Sequence, residues 1–396
     1  MTEKRKRKLA MPDTLIIVAS VVLLVAILSW IIPSGTYDYQ EMNINGRIRN
    51  VAIDGTYHTI DKSEVTTTGF LGFFSVLYRG CVEAADVIFM ILCCCGTFGV
   101  VVKTGAFHAG IGTILKKLKG KEILLVPIIM LIFGLGGSVF GMASEFYGFY
   151  PLIVGLGVAL GYDAMFGFAI IAVGEFVGFM GATLNPYSVG IAQTISGVEL
   201  YSGTGYRTIC FVIFMVISII YVMMYGRKIK KNPGASVVFG EKNIHAFDRD
   251  ELNEYSFTLK DGLVLLDVLV VLVVLMFGLI KWGWDFPQLC GLFLLMSMIA
   301  AAICKWSPNK WCSEFIDSAK TAMWGCILTG IAKAITVVMQ DAQIMDTVIY
   351  GLSNVLKNAP HAVSAQVMLV VQTLINFFIP SATGQASATM PIMAQL

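Results

Sequence analysis

Charge is what this sequence most lacks. Asp, Glu, Lys and Arg make up only 14% of its 396 residues, against roughly 25% in an average soluble domain. Histidine is rarer still: His58, His108, His245 and His361 are scattered at or beyond the ends of apolar blocks. The chain contains no H-E-x-x-H, no G-x-S-x-G and no C-x-x-C. Zinc-peptidase, serine-hydrolase and thiol-redox arrangements therefore have no residues to build on, and the chain is not expected to be an enzyme. The nine cysteines include the run Cys93-Cys94-Cys95 and lie mostly in or at the ends of apolar blocks. They read as small, soft packing residues, so no metal and no other cofactor is expected. A nucleic-acid partner is not expected either.

Apolar length takes the place of charge. Hydrophobic residues reach 57%, against roughly 45–50% in a soluble domain. They come in blocks. Leu15–Ile32, Ile209–Gly226 and Cys290–Cys304 carry no charge, and Leu263–Ile280 carries only Asp267. A bilayer core needs about 20 apolar residues at ~1.5 Å each. The chain therefore reads as an all-α membrane protein, a polytopic helical bundle, with the lipid bilayer as its solvent. Lys4-Arg5-Lys6-Arg7-Lys8 could open a signal peptide, but the following run is long and ends in Ser29-Trp30-Ile31-Ile32-Pro33 without a small-x-small cleavage site. It reads as an uncleaved first span.

The blocks give a layout. Span one covers 12–32, and a polar external segment follows to about 82. Span two covers 84–102, and an amphipathic stretch covers 104–120. Two apolar pieces, 122–136 and 146–161, flank a Gly/Ser-rich break at 137–145. A long span over 164–200 is interrupted near Asn185-Pro186, and another covers 208–226. A charged linker, 227–262, leads to spans at 263–280, 287–304 and 318–339. An amphipathic stretch at 342–357 and an apolar piece at 361–379 then lead to a second Ser/Gly break from Pro380. With the N-terminus inside, this layout puts most of the 28 Lys and Arg residues on the inner side, as the positive-inside rule requires. Only Lys333 is left within a span. The piece 122–136 is about 22 Å long as a helix, short of a ~30 Å core, so 122–161 is expected to be a re-entrant hairpin rather than two spans.

The two breaks resemble each other. Ser138-Val139-Phe140-Gly141-Met142-Ala143-Ser144 aligns with Ser381-Ala382-Thr383-Gly384-Gln385-Ala386-Ser387 at an offset of 243, matching Ser, Gly, Ala and Ser. Each break follows an apolar piece, an amphipathic stretch and a span. One hairpin enters from inside and the other from outside, which is an inverted-topology repeat. The domains expected are a first repeat over 1–226, with a broken helix near 181–190, a cytoplasmic linker over 227–262, and a second repeat over 263–396. That second repeat reads as truncated after the outer tip at 380–387.

Non-helical backbone at membrane depth survives only where protein or a water-filled cavity satisfies it, so the tips are the candidate site. Ser138, Gly141 and Ser144 mark the first tip; Ser381, Thr383, Gly384, Gln385 and Ser387 mark the second. Gly allows a sharp turn and close approach, and hydroxyls with freed backbone groups can hold a cation. Packing of small residues between helices is the plainer alternative. Glu145 follows the first tip and could bind an amino group or carry a proton. Glu175 lies within an apolar run, as a proton relay or as a structural partner of Lys333. Pro186 deprives the Ala182 carbonyl of its helical partner, so Thr183, Asn185, Pro186 and Ser188 form a candidate ligand set, unless the proline is an ordinary kink. Lys333 could meet a substrate carboxylate.

The string PSATGQASATMPIMAQL at 380–396 resembles the YfcC/DcuC-type carriers of the ion transporter superfamily. Ile32-Pro33-Ser34-Gly35-Thr36-Tyr37 and the Gly181-Ala182-Thr183-Leu184-Asn185-Pro186 break are similar to that family too. The resemblance implies a five-helix inverted repeat with one hairpin in each half, a homodimer, and a solute meeting any coupling Na⁺ or proton between two tips and two broken helices. It also implies a multi-pass protein of the bacterial cytoplasmic membrane. The N-terminus is expected on the cytoplasmic side. The expected function is secondary transport of a small charged organic solute by alternating access. The two central glutamates favour a basic amino acid, as in arginine/ornithine exchange. A C4-dicarboxylate carrier and a transport-dead sensor or assembly subunit are the alternatives.

Overall fold

Asp13 starts the first span: its carboxylate accepts from the Leu15 amide at 2.8 Å, capping α1 (Thr14–Ile31). The computed structural model describes residues 12–44, 47–118, 122–240, 257–357 and 363–394. The basic run 4–8 and Lys119, Lys121, Lys242, His245, Arg249 and His361 lie outside the described residues. After α1 come α2 (Phe70–Glu83), α3 (Ala85–Lys103), α4 (Ala106–Leu118) and α5 (Leu125–Leu135). These are followed by α6 (Tyr150–Ala159), α7 (Ala164–Met180), α8 (Ile191–Ile195) and α9 (Thr204–Lys231). The second half holds α10 (Leu259–Lys281), α11 (Phe286–Ile303), α12 (Pro308–Ala319), α13 (Met323–Asp341), α14 (Met345–Lys357), α15 (Ser364–Phe378) and α16 (Ala382–Met393).

Among the described residues, six helices are long and apolar enough to cross a membrane: α1, α3, α9, α10, α11, and α12 running on into α13. Four of them begin where a polar side chain caps the first amides: α1, α10, α11 and α12. Thr258 and Asp261 make a capping box for α10, and Asp285 and Gln288 make one for α11. Ser307 caps α12 at Pro308. Their outer faces, such as Ile209, Val216 and Ile220 of α9, are about half exposed, as lipid-facing side chains must be. The hairpin arms α5 and α15 and the helix α7 are apolar but shorter.

The inverted repeat is visible in the packing. Phe70 recurs as Pro308 and Ala85 as Met323, an offset of 238; Ala106 recurs as Met345 and Leu125 as Ser364, an offset of 239. Contacts repeat with the elements: α2 lies along α13 as α12 lies along α3, and α1 lies along α13 as α11 lies along α3. The matched string at the two breaks, offset by 243, is thus about one helical turn out of register with the helix frame. Ser138 sits before the first turn of the chain, whereas Ser381 sits after the second and caps α16. The string located the tips, but it paired the wrong residues. Serine and glycine suit either side of such a turn, so the match tracks composition rather than position.

Close packing between the halves, and between the first hairpin and the first broken helix, uses glycine. A Cβ on Gly80 of α2 would sit 2.7 Å from the Ala334 amide of α13. Gly174 and Gly178 of α7 lie directly against the backbone of α5 at Met130 and Gly134. The largest buried cluster, including Met90, Phe98, Met130, Phe166, Ile170 and Phe293, joins α3, α5, α6, α7 and α9–α11.

The segment after span one is not simply a polar loop. Its last part is α2, whose Phe70, Leu71, Phe74 and Tyr78 are exposed while Val76 and Gly80 are buried. At 14 residues α2 is too short to cross alone, so it leans on α13 instead. Before it, two antiparallel pairs form: β1 (Ser34–Thr36) with β4 (His58–Ile60), and β2 (Tyr39–Ile44) with β3 (Arg47–Ala52).

This strap is fastened to the start of α14. Asp346, buried, accepts from the Tyr39 hydroxyl at 2.8 Å, the Tyr37 amide at 3.1 Å and the Thr36 hydroxyl at 3.2 Å. Tyr57 stacks on Tyr350 with ring centroids 4.1 Å apart. Burial, and then the Asp346 carboxylate, hold the Tyr37 and Tyr39 phenols above the usual tyrosine range, so neither ionises under ordinary conditions. Asp346→Ala strands the buried Tyr37 amide and takes the acceptor from the Tyr39 hydroxyl. It is expected to lower folding stability by about 3 kcal/mol and to speed proteolysis within 34–60, measured as a shift in detergent melting temperature and by limited digestion. Asp346→Asn, which keeps an acceptor, should lose less.

Candidate functional site

The first tip is a helix that widens before it turns. Gly136–Phe140 form a π-turn at the end of α5, and the Met142 amide closes on the Gly136 carbonyl at 3.2 Å. Gly141 then takes φ +69°, where a Cβ would also meet the Asn185 side chain 2.9 Å from its amide carbon. Ser144–Phe149 return the chain in a 3-10 turn to α6, which has Pro151 in its first turn.

The first broken helix ends at Met180 and restarts at Pro186. Asn185 caps the restart: its Oδ1 accepts from the Tyr187 and Ser188 amides at 2.9 and 3.2 Å. Its Nδ2 donates to the Gly137 carbonyl of the tip at 3.1 Å. The Ser138 carbonyl accepts from the Thr183 and Leu184 amides at 2.9 and 3.2 Å. The Ser138 hydroxyl donates to the Gly181 carbonyl at 3.1 Å and lies 3.1 Å from the Thr183 hydroxyl. Ser138, Thr183 and Asn185 are all buried. Ser138, Gly141, Thr183, Asn185 and Pro186 therefore come together, laced by the backbone groups that the two breaks set free.

The second tip reaches the same place. The Thr383 hydroxyl donates to the Tyr187 carbonyl at 3.1 Å, and α16 packs on α8 through Ala386 and Ile191. Ser381 caps α16, accepting from the Gly384 amide at 3.2 Å. Gln385 turns away, donating to the Gln372 side chain of α15 at 2.6 Å. Beside the Tyr187–Thr383 contact, the hydroxyls of Ser188 and Ser387 are buried and have no hydrogen-bond partner among the described residues. A buried hydroxyl without a partner costs about 1–3 kcal/mol and calls for an explanation.

The glutamates lie behind the first tip. Glu145, buried, accepts from the Ala143 amide at 2.9 Å. Glu175, only 2% exposed, accepts from the Tyr150 hydroxyl at 3.0 Å. Of the two roles the sequence leaves open for Glu175, the ion pair with Lys333 is not formed. Lys333 lies half-buried on α13, among the elements α1 and α2, whereas Glu175 faces α6. No hydrogen bond or ion pair joins Lys333 to the tip residues among the described residues. Ser144 sits half-buried in the 3-10 turn after the tip.

Sequence reasoning missed Arg207. Its Nε and Nη2 donate to the Thr183 carbonyl at 3.3 and 3.2 Å, and Nη1 donates to the Ser202 carbonyl at 2.8 Å. No carboxylate pairs with it among the described residues. A cation at the end of α7, on a carbonyl freed by the break, also complements that helix's dipole. The only signal in the sequence was a lone arginine close after the proline break.

The family model of the C4-dicarboxylate anaerobic carrier, DcuC, matches residues 11–396. YfcC of Escherichia coli (strain K12), provisionally described as a basic amino acid antiporter, is 31% identical over 428 residues, covering 99% of this chain and 84% of its own. A protein of Haemophilus influenzae described as uncharacterized is 27% identical over 435 residues, covering 99% of this chain and 85% of its own. Among solved structures, MtrF of Neisseria gonorrhoeae is 15% identical with a TM-score of 0.47, covering 97% of this chain and 80% of its own. The YdaH transporter of Alcanivorax borkumensis is 12% identical with a TM-score of 0.43, covering 96% and 82%. With helices that span a bilayer, two hairpins and a family match over nearly its whole length, the chain belongs to the DcuC family of membrane transporters.

Proposed function

We propose that the chain carries a small charged organic solute across the cytoplasmic membrane by alternating access, with solute and coupling ion meeting where the first broken helix touches the second tip. The observation that carries this reading is the pair of partnerless buried hydroxyls, Ser188 and Ser387, beside the Tyr187–Thr383 contact. Hydroxyls left without partners at a seam between two repeats suit a ligand that arrives and leaves. Residues 1–226 and 263–396 act as the two repeats in this proposal, with 227–262 as the linker between them.

A basic amino acid, exchanged as arginine or ornithine, is the solute that the buried carboxylates Glu145 and Glu175 favour. The description of YfcC points the same way. The C4-dicarboxylate reading is favoured by a different feature, the Arg207 guanidinium, which no carboxylate balances among the described residues. A proton or Na⁺ is the coupling ion that Glu145 and Glu175 would serve, and dependence of uptake on pH or on Na⁺ separates those two. The homodimer remains a proposal, tested by mass measurement in detergent.

A thermal-shift panel of arginine, ornithine, lysine, succinate, fumarate, neutral amino acids and Na⁺ tests the solute. At 100 times its Kd a ligand should stabilise by about 2.7 kcal/mol. A shift with arginine or ornithine that is lost in Glu145→Gln is the expected result. A shift with dicarboxylates alone would assign the site to Arg207 and overturn the basic amino acid. Stabilisation by a solute that vesicles fail to take up would identify a sensor rather than a carrier.

A further inference from the structure

The membrane-facing side of α9 ends at a cavity that the transport site does not use. Its volume is about 210 Å³, and it lies between the α6–α7 turn and the residues that follow α9. At ~30 Å³ per water in the liquid, this is room for roughly seven waters, enough for a phosphate group and the glycerol oxygens beside it.

The lining is built, not incidental. Lys230 sits over the Tyr162 ring, its Nζ 5.1 Å from the centroid, and no carboxylate pairs with it among the described residues. Asp163 also lines the cavity, but its carboxylate is fully engaged. It accepts from the Phe166 amide at 2.7 Å and from the Tyr225 and Ser236 hydroxyls, both at 2.6 Å. Asp163 thus fixes the walls with its oxygens taken by neutral donors and forms no ion pair with Lys230, so the net positive charge at this helix end comes from Lys230 and its basic neighbours. Arg227, Lys228 and Lys231 are exposed on the same helix end and add to the positive field.

The surroundings indicate where an anion would come from. Val216, Ile217, Ile220, Tyr221 and Met224, on the α9 turns leading to the cavity, are about half to 70% exposed, as chains lying against lipid are. At the cavity rim Phe239 is 67% exposed, and Val237 nearby is 73% exposed, in a stretch that composition alone reads as a solvated linker. Exposed apolar side chains beside a basic cluster at a span end suit the boundary between headgroups and acyl chains.

We propose that this cavity binds a phosphate group, held by Lys230, and that the group is the headgroup of an anionic phospholipid whose chains lie along α9. The proposal does not depend on the solute carried. It is tested on the purified full chain in detergent by melting temperature on addition of phosphatidylglycerol, phosphatidylcholine or glycerol 3-phosphate. The expected result is a larger upward shift with phosphatidylglycerol than with phosphatidylcholine. In Lys230→Gln the lipid concentration giving half the shift should rise about fivefold, while Lys230→Arg and the distant Lys320→Gln should behave as the parent chain. A full shift retained in Lys230→Gln, or equal shifts with both lipids, would overturn the site. An equal shift with glycerol 3-phosphate, lost in Lys230→Gln, would keep the phosphate site and overturn the lipid as its source. Should Lys230→Gln fail to fold, Phe239→Ser, placed at the cavity's lipid edge, is expected to weaken the phosphatidylglycerol shift; an unchanged shift there would overturn the lipid assignment.

Discussion

Gly178→Leu pushes the first broken helix off the first hairpin and costs the protein most of its stability. Gly178 faces the Gly134 carbonyl and Cα of α5, and one turn earlier Gly174 lies with its would-be Cβ 2.8 Å from the Met130 carbonyl. The obstacle at both positions is backbone, so no side chain can swing away to make room. Overpacking a tight core typically costs about 1–3 kcal/mol and occasionally more; with backbone on the far side, the upper end or beyond is expected. The effect also reaches the tip, because Gly137 sits against the Glu175 carbonyl and the Phe179 amide of the same helix. Detergent melting should fall sharply, and solute-dependent stabilisation should vanish. Gly178→Ala should fall between parent and Leu. Gly291→Leu on α11, where nothing lies within 4 Å of a Cβ, should be close to neutral. Equal effects of Gly178→Leu and Gly291→Leu would contradict the close α5–α7 contact.

Asn185→Ala is the second large effect, and it works through hydrogen bonds instead of volume. The side chain caps the restarted helix through the Tyr187 and Ser188 amides and ties it to the tip through the Gly137 carbonyl. A lost cap costs about 0.5–2 kcal/mol, and leaving the buried Gly137 carbonyl without its donor costs about 1–3 kcal/mol more. A fall of roughly 2–4 kcal/mol in stability is expected. Asn185→Asp separates the two contributions. It keeps an acceptor for both amides but turns a carboxylate oxygen toward the Gly137 carbonyl, so the cap survives while the tie becomes repulsive. Its stability should resemble that of Asn185→Ala or fall lower. An Asp variant as stable as the parent would show that the tie to Gly137 carries no weight.

Much of the scaffold could be read from residue order. Long uncharged blocks can be nothing but buried or lipid-facing helices, and α1, α3, α9, α10, α11 and α13 lie where those blocks lie. Asn185-Pro186 announced a break because proline removes a helical donor wherever it stands, and the break is there. The elements missed were short or mixed in composition. The β-strap after span one is mixed in composition and takes its order from Asp346, Thr347 and Tyr350, about 300 residues away in sequence. The helix α2 is too short to register as a span, and its buried side is defined only by α13.

The site divides in the same way. Ser138, Gly141, Thr183 and Asn185 were legible because each has a local reason to sit at a turn or a cap. Their partners were not. Arg207 serves the Thr183 carbonyl because α9 crosses the break at that height, with Phe211 against Gly181. Residue order leaves Glu175 open between a proton relay and a partner for Lys333; the two lie in different packing groups, and Tyr150 donates to the glutamate instead. By itself the sequence determined that the chain inserts as a helical bundle, where its helices break, and which small residues stand at the breaks. Those properties follow from single-residue transfer energies and local backbone rules. Only the tertiary structure decided that the helix frame, and not the matched string, sets the repeat, that the second tip meets the first broken helix at Tyr187 and Thr383, and which charges find partners. Those outcomes rest on distances between residues far apart in the chain, which packing sets and composition does not record.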